Sequence, residues 1–423
     1  MQQNILEDKK PKSGIIQEAT LLLLSTLTVM AGSTISPAIK SMSIFFAAVP
    51  NAEFLSKLCL TIPAIAFVVV APLIGILIDK FGRKPILIST LILYILAGTS
   101  GFYLKNLYVI LVGRILLGIA VAGITNTTLT LIADYYEGQK RNRVLGFQVA
   151  FSAFGGVIFL LVGGALADIG WNMPFLIYAL PILLIPNTII SLPESTKNID
   201  EKITEIKQVI DEKSEIIKND KPVLGKSIKW IIAICYLLIF INMLIFYTGP
   251  TQLPFYIPTI SPTVSNFLIG LALSLVNLVA GTIGLFFKQI KKLLNFQPIF
   301  IIGFSLLGIG FIILSYASSY TIILIAAIIG GLGFGLVMPN LSLYLINNTA
   351  EKSRGRLFSG YNSMLYLGQF ISPIIFEPII NVTDMSTMFL IGGIIYLTTI
   401  LVPIIILITF YLRKKKNEMI TTQ

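Results

Sequence analysis

The sequence contains no histidine and only two cysteines, Cys59 and Cys235, each set in an apolar run. Those absences argue against a metal site built on imidazole or thiolate, and against a disulfide framework. Two small buried hydrophobes is the simpler account of the thiols. Charge is also scarce: Asp, Glu, Lys and Arg together make up 12% of 423 residues, while 55% are hydrophobic. With a mean hydropathy of +0.88, a soluble multidomain protein of this length is excluded, because it could not hide so much apolar surface. No G-x-x-x-x-G-K-[ST] string occurs, so direct drive by ATP is not expected. No nucleophile, acid pair or metal cluster is assembled in the sequence, so an enzyme is not expected either.

What the chain does contain is a succession of apolar runs, each long enough to cross a bilayer at about 20 residues per span. They lie near residues 17–39, 55–78, 85–104, 107–134, 144–168 and 171–192, then 229–249, 265–287, 297–316, 320–346, 357–380 and 385–412. Backbone groups in lipid must be paired within a helix or a closed barrel, and no period-two alternation is present. The expected fold is therefore an all-α integral membrane protein with twelve transmembrane helices in two six-helix bundles. Its expected divisions are an N-terminal bundle at 1–192, a cytoplasmic linker at 193–228, and a C-terminal bundle at 229–423 ending in a basic tail. The linker is mixed in charge and carries Ile199, Ile203, Ile206 and Ile210 at helical spacing. The first run is too long for a signal-peptide core, and no small-residue cleavage pattern follows it, so it should remain as the first span.

The net charge of +11 has no single basic face behind it, which argues against nucleic acid. With both termini in the cytoplasm, every Lys and Arg except Lys40, Lys57, Lys105 and Arg114 falls on the cytoplasmic side or in the linker. That asymmetry is the positive-inside pattern of a multi-pass plasma membrane protein. The halves also repeat at an offset of 213: Pro37 with Pro250, Pro85 with Pro298, Arg143 with Arg356, and Gly118, Ala120 and Ala122 with Gly331, Gly333 and Gly335. Duplicated bundles of this kind are a common plan for secondary transporters.

The loop after the second span reads Gly75-Ile-Leu-Ile-Asp79-Lys-Phe-Gly82-Arg83-Lys84-Pro85. It closely resembles the G-x-L-a-D-r-x-G-r-k signature of the major facilitator superfamily, at its expected place, and the resemblance extends over essentially the whole chain. By that resemblance Asp79 faces the start of the eleventh helix, near Leu357 to Gly360, and Arg83 pairs with Asp134, together latching the outward-open state. Arg114-Ile-Leu-Leu-Gly118-Ile-Ala120-Val-Ala122 resembles the fourth-helix motif of proton-coupled members, with Leu117 where they carry glutamine. The fifth span retains Gly155 and Gly163-Gly164 of the antiporter signature, but Phe159-Leu160 replace its Gly-Pro.

A charge at mid-membrane is costly, so Arg114 should face a cavity or a partner. It is a candidate for coupling or substrate binding, with a structural charge at the outer gate as the alternative. Among the carboxylates Glu18, Asp168 and Glu377, all near helix ends, Glu377 is the preferred proton carrier. At 100 degrees per residue, Ser25, Thr28, Gly32 and Ser36 share a face of the first helix, Thr125 and Thr128 the Arg114 face, and Asn362, Tyr366 and Gln369 a face of the eleventh. These are expected to line the cavity. Asn242, Asn277 and Asn340 are amides suited to helix contacts or to ligand.

The resemblance implies an exporter of drugs or other small organic molecules in a bacterial inner membrane. It would be a monomer without cofactor, driven by proton antiport, its partners being substrate, protons and the bilayer. An uptake symporter and an exporter of organic anions such as siderophores are the alternatives within transport. A membrane sensor signalling through the linker is the alternative outside it.

Overall fold

The structure is a computed structural model that describes residues 14–193, 226–349 and 354–404. The linker helix expected around 199–210 and the basic tail from Arg413 lie outside those residues. The described residues form twelve helical spans. Those of the first half are α1 Ile15–Phe45, α2 Ala52–Phe81, α3 Arg83–Tyr103, α4 Leu107–Tyr135, α5 Gly138–Ile169 and α6 Met173–Ser191. The second half comprises α7 Lys229–Ile260, α8 Asn266–Leu293, α9 Phe296–Ser315, α10 Tyr320–Asn347, α11 Leu357–Val382 and α12 Met385–Ile404.

Their apolar side chains divide into two large cores. One gathers buried residues of α1 to α6, among them Leu21, Leu60, Leu91, Ile110, Val144 and Phe175. The other gathers α7 to α12, among them Ile239, Ala272, Phe304, Val337, Phe376 and Phe389. Large hydrophobics such as Val69, Ile158, Leu285 and Ile325 remain exposed, as expected where the solvent is lipid rather than water.

The loops at the two ends of the bundles differ in charge. One end, here called the basic face, carries Lys80, Arg83, Lys84, Arg141, Arg143, Lys288 and Lys292. From the other, the far face, four helices start on side-chain caps. Asn106, Ser265, Ser319 and Asp384 accept hydrogen bonds from the first-turn N–H groups of α4, α8, α10 and α12, which would otherwise lack partners.

The sequence repeat is visible in the packing. Where Gly118 of α4 meets α2, a Cβ would collide with the Pro63 carbonyl and the Ala66 methyl; where Gly331 of α10 meets α8, it would collide with the Val276 carbonyl and Val279. Each pair (118 and 331, 63 and 276, 66 and 279) is separated by 213. Small residues let these backbones approach closely without a hydrophobic drive between helices. The helical breaks correspond as well, α1 giving way at Thr34 and α7 at Tyr247.

Candidate functional site

Between the two halves lies a cavity of about 280 Å³ lined by α1, α2, α4, α5, α7, α8, α9, α10 and α11. Its wall is largely apolar, with Phe67, Met243, Phe246, Leu273, Val276, Phe311 and Phe334 prominent. Phe246 and Phe334 stack at 4.0 Å between centroids, and Phe67 lies against Tyr366 at 4.2 Å. Thr28, Ser33, Asn277, Tyr247, Tyr366 and Gln369 supply its polar side chains, and among the described residues no Asp, Glu, Lys or Arg lines it.

Of the residues expected to face this space, Thr28, Gly32, Tyr366 and Gln369 do so. Thr125 lies one layer back, its hydroxyl 2.8 Å from that of Thr28. Ser25 donates to the Leu21 carbonyl of its own helix. Ser36 follows the break in α1 and donates across the bundle interface to the Pro250 carbonyl at 2.6 Å. Thr128 is buried with an unpartnered hydroxyl. Asn362 is half-buried and is not among the lining residues. Of the amides, Asn277 reaches the cavity. Asn340 bonds the Phe296 carbonyl at the start of α9, and Asn242 sits against Met338.

Arg114 is fully buried in the N-terminal half without a carboxylate beside it. Its Nε donates to the Cys59 carbonyl at 2.8 Å and its Nη2 to the Ala31 carbonyl at 2.7 Å. The local backbone explains both. Pro63 has no N–H to offer the carbonyl four residues earlier, which is Cys59, and Ala31 lies in the last turn of α1 before its break. The guanidinium therefore occupies the negative end of a helix dipole and satisfies two orphaned acceptors. Tyr94 and Tyr247 donate to the Leu27 and Gly32 carbonyls of that stretch, and the Tyr178 hydroxyl lies 3.4 Å from both the Met30 carbonyl and the Ala31 carbonyl that Arg114 also engages. Arg114 Nη1 has no partner.

On the basic face, Gly82 turns the chain at φ 89°, a conformation natural to glycine. That turn brings Arg83 Nε within 3.1 Å of Asp134 Oδ2. Lys84 Nζ donates to the Ile189 carbonyl at 2.6 Å, tying the start of α3 to α6. Asp79 is exposed, and Gly75 has open space where a Cβ would stand.

At the far face the two halves are joined. Lys57 of α2, with a fully buried side chain, donates to Glu377 of α11 at 2.8 Å and to Glu53 at 2.7 Å. Gln252 of α7 donates to the same Glu377 oxygen at 3.3 Å, and the ammonium lies 4.5 Å from the Phe255 ring centroid. Lys57 was expected to be a topological charge at the outer surface; here it is buried and ion-paired instead. Its signals in the sequence were Glu53 one helical turn away and its place inside an apolar run. Asp168 of α5, by the same face, accepts from the first two backbone N–H groups of α8.

This fold and this central cavity define a membrane transporter. The sequence model described as Major Facilitator Superfamily matches residues 21–293 and again 251–421, and the chain belongs to that superfamily. It is 28% identical over 340 residues to the bacillibactin exporter of Bacillus subtilis (strain 168), covering 78% of this chain and 82% of that one. It is 29% identical over 164 residues to the class H tetracycline resistance protein of Pasteurella multocida, covering 38% and 40% of the two chains. A crystal structure of a D-xylose–proton symporter superposes with a TM-score of 0.73 at 17% identity, covering 92% of this chain and 96% of that one. That likeness concerns the fold.

Proposed function

We propose that this protein exports small, mainly apolar organic molecules from the bacterial cytoplasm by proton antiport, alternating access about the central cavity. The observation that carries this reading is the cavity itself, aromatic and, among the described residues, free of charged side chains, beneath a far face closed by the ion pair of Lys57 and Glu377. Uncharged aromatic walls suit lipophilic compounds, with Gln369, Asn277 and Thr28 setting orientation. The basic face is the cytoplasmic one, with both termini there, and the protein works as a monomer of the inner membrane without a cofactor. Gly75, Asp79, Gly82, Arg83 and Asp134 form the cytoplasmic latch, disengaged here at Asp79. Glu377 exchanges the proton as its pair with Lys57 opens and reforms, and Arg114 belongs to the coupling. One proton descending about 150 mV supplies about 3.5 kcal/mol, enough for a concentration ratio of a few hundredfold.

A second reading, export of an organic anion, is favoured by the free Nη1 of Arg114, one layer behind cavity residues Ala31 and Gly32. Proton movement in inverted membrane vesicles, challenged with lipophilic cations and with small carboxylate anions, decides between them. Collapse of the pH gradient by the cations, abolished in Arg114→Ala, supports drug antiport with Arg114 in coupling. A response to anions alone makes Arg114 a substrate ligand, and no response to either panel removes both.

A further inference from the structure

We infer that Asp168 is the electrostatic latch of the outer gate between α5 and α8, a role that goes beyond the antiport proposed above and does not depend on the substrate. The α8 helix begins at Asn266 with three consecutive N–H groups that no helical carbonyl can reach. Its own Ser265 hydroxyl accepts from the third, Leu268, at 3.3 Å. The other two are satisfied from the opposite bundle, Asp168 Oδ1 accepting from Asn266 N at 2.6 Å and Oδ2 from Phe267 N at 3.1 Å. One carboxylate thus uses both oxygens on the positive end of a helix in the other half of the molecule.

Independent contacts show that this juncture is a close inter-bundle seam. The Asn266 side chain returns a hydrogen bond to the Ala167 carbonyl at 3.1 Å. A Cβ on Gly164 would stand 2.6 Å from the Asn266 carbonyl, and one on Gly270 would collide with the Leu160 carbonyl. Backbone therefore meets backbone, and the carboxylate sits where the two helices must separate for the far face to open. When they separate, α8 loses two acceptors while retaining Ser265. Asp168 is accordingly a positioning residue for the transport cycle: it sets the balance between outer-closed and outer-open states without touching substrate.

Spin-label pairs in the full-length protein in lipid nanodiscs test this, with Lys105→Cys and Tyr316→Cys reporting the far face and Ile190→Cys and Leu293→Cys the basic face. Asp168→Asn should raise the outer-open population by roughly five- to tenfold, lengthening the first distance and shortening the second. Ser265→Ala frays the same helix end from within its own bundle and should leave both distributions in place. Unchanged distances in Asp168→Asn, or an equal shift in Ser265→Ala, would overturn the latch. Asp79→Asn in the same series reports on the cytoplasmic latch alone, so the two ideas fail separately.

Discussion

Lys57 Nζ and Glu377 Oε2 stand 2.8 Å apart across the two bundles, the lysine side chain fully buried and the carboxylate 12% exposed. Glu53, 48% exposed and on the same helix as Lys57, holds the ammonium from the other side. Opening of the far face would part Lys57 from Glu377 but not from Glu53, which lies on its own helix, so the ammonium would keep a counter-charge. Breaking this pair should therefore cost less than the 3–5 kcal/mol of an isolated buried pair, about 1 to 2 kcal/mol. Glu377→Gln should favour the outer-open state by roughly five- to thirtyfold, read as increased alkylation of a cysteine placed in the cavity at Thr28. The exchanged pair Lys57→Glu with Glu377→Lys sets Glu53 against a new carboxylate and should restore closure only when Glu53→Gln is added. Unaltered alkylation in Glu377→Gln would show that the pair does not hold the gate.

Gly164→Ala tests the backbone seam directly. The added methyl would lie 2.6 Å from the Asn266 carbonyl, and backbone cannot yield as a flexible side chain can. The overpacking cost of about 1–3 kcal/mol falls on the outer-closed state alone. The variant should reach normal abundance in the membrane and bind substrate poorly from the cytoplasmic side. Vesicle uptake near the parental level would show that α5 and α8 have room that the closed structure does not display.

The sequence and the structure agree most closely where the signal is local or carried by a recurring motif. Twelve apolar runs, the motif from Gly75 to Lys84 and the 213-residue repeat are all legible along the chain. Angular arithmetic on α1 places Ser25, Thr28 and Ser36 together, yet it assumes a continuous helix. Because the helix breaks at Thr34, Ser36 lies in the turn beyond and bonds Pro250 instead. The Lys57–Glu377 pair joins residues 320 apart in the chain, a separation that no local pattern can report. The surroundings of Arg114 are hidden for a related reason: its partners are main-chain carbonyls, which leave no trace in residue identity except through Pro63.

Outside the spans, Asp384 gives a pH signature. The Thr387 backbone N–H, then the Thr387 side chain, hold its carboxyl below the ordinary aspartate value. A depressed folded value means that this contribution is complete above about pH 4, where the unfolded carboxylate is also ionised, and is lost as pH falls through the folded value. Thermal unfolding in detergent should separate parent from Asp384→Asn at neutral pH, and the gap should narrow on acidification below about pH 4. A gap independent of pH would place the effect in shape rather than in charge.

Arg114 and Pro63 yield the most discriminating prediction, because the chain offers a way to undo the damage. Arg114 Nε serves the Cys59 carbonyl only because Pro63 cannot. Arg114→Lys keeps the charge but replaces a planar fork by a point donor, which cannot meet the Cys59 and Ala31 carbonyls in the same geometry. One buried acceptor is then left without its partner, at a cost of about 1–3 kcal/mol. Pro63→Ala restores an N–H at the right register, so Cys59 regains its helical bond and Arg114→Lys need serve Ala31 alone. The double variant should recover most of the lost thermal stability. If stability returns while the proton response in vesicles stays abolished, Arg114 couples transport through more than its grip on the helix ends. If both return together, its role is to hold α1 and α2 in place.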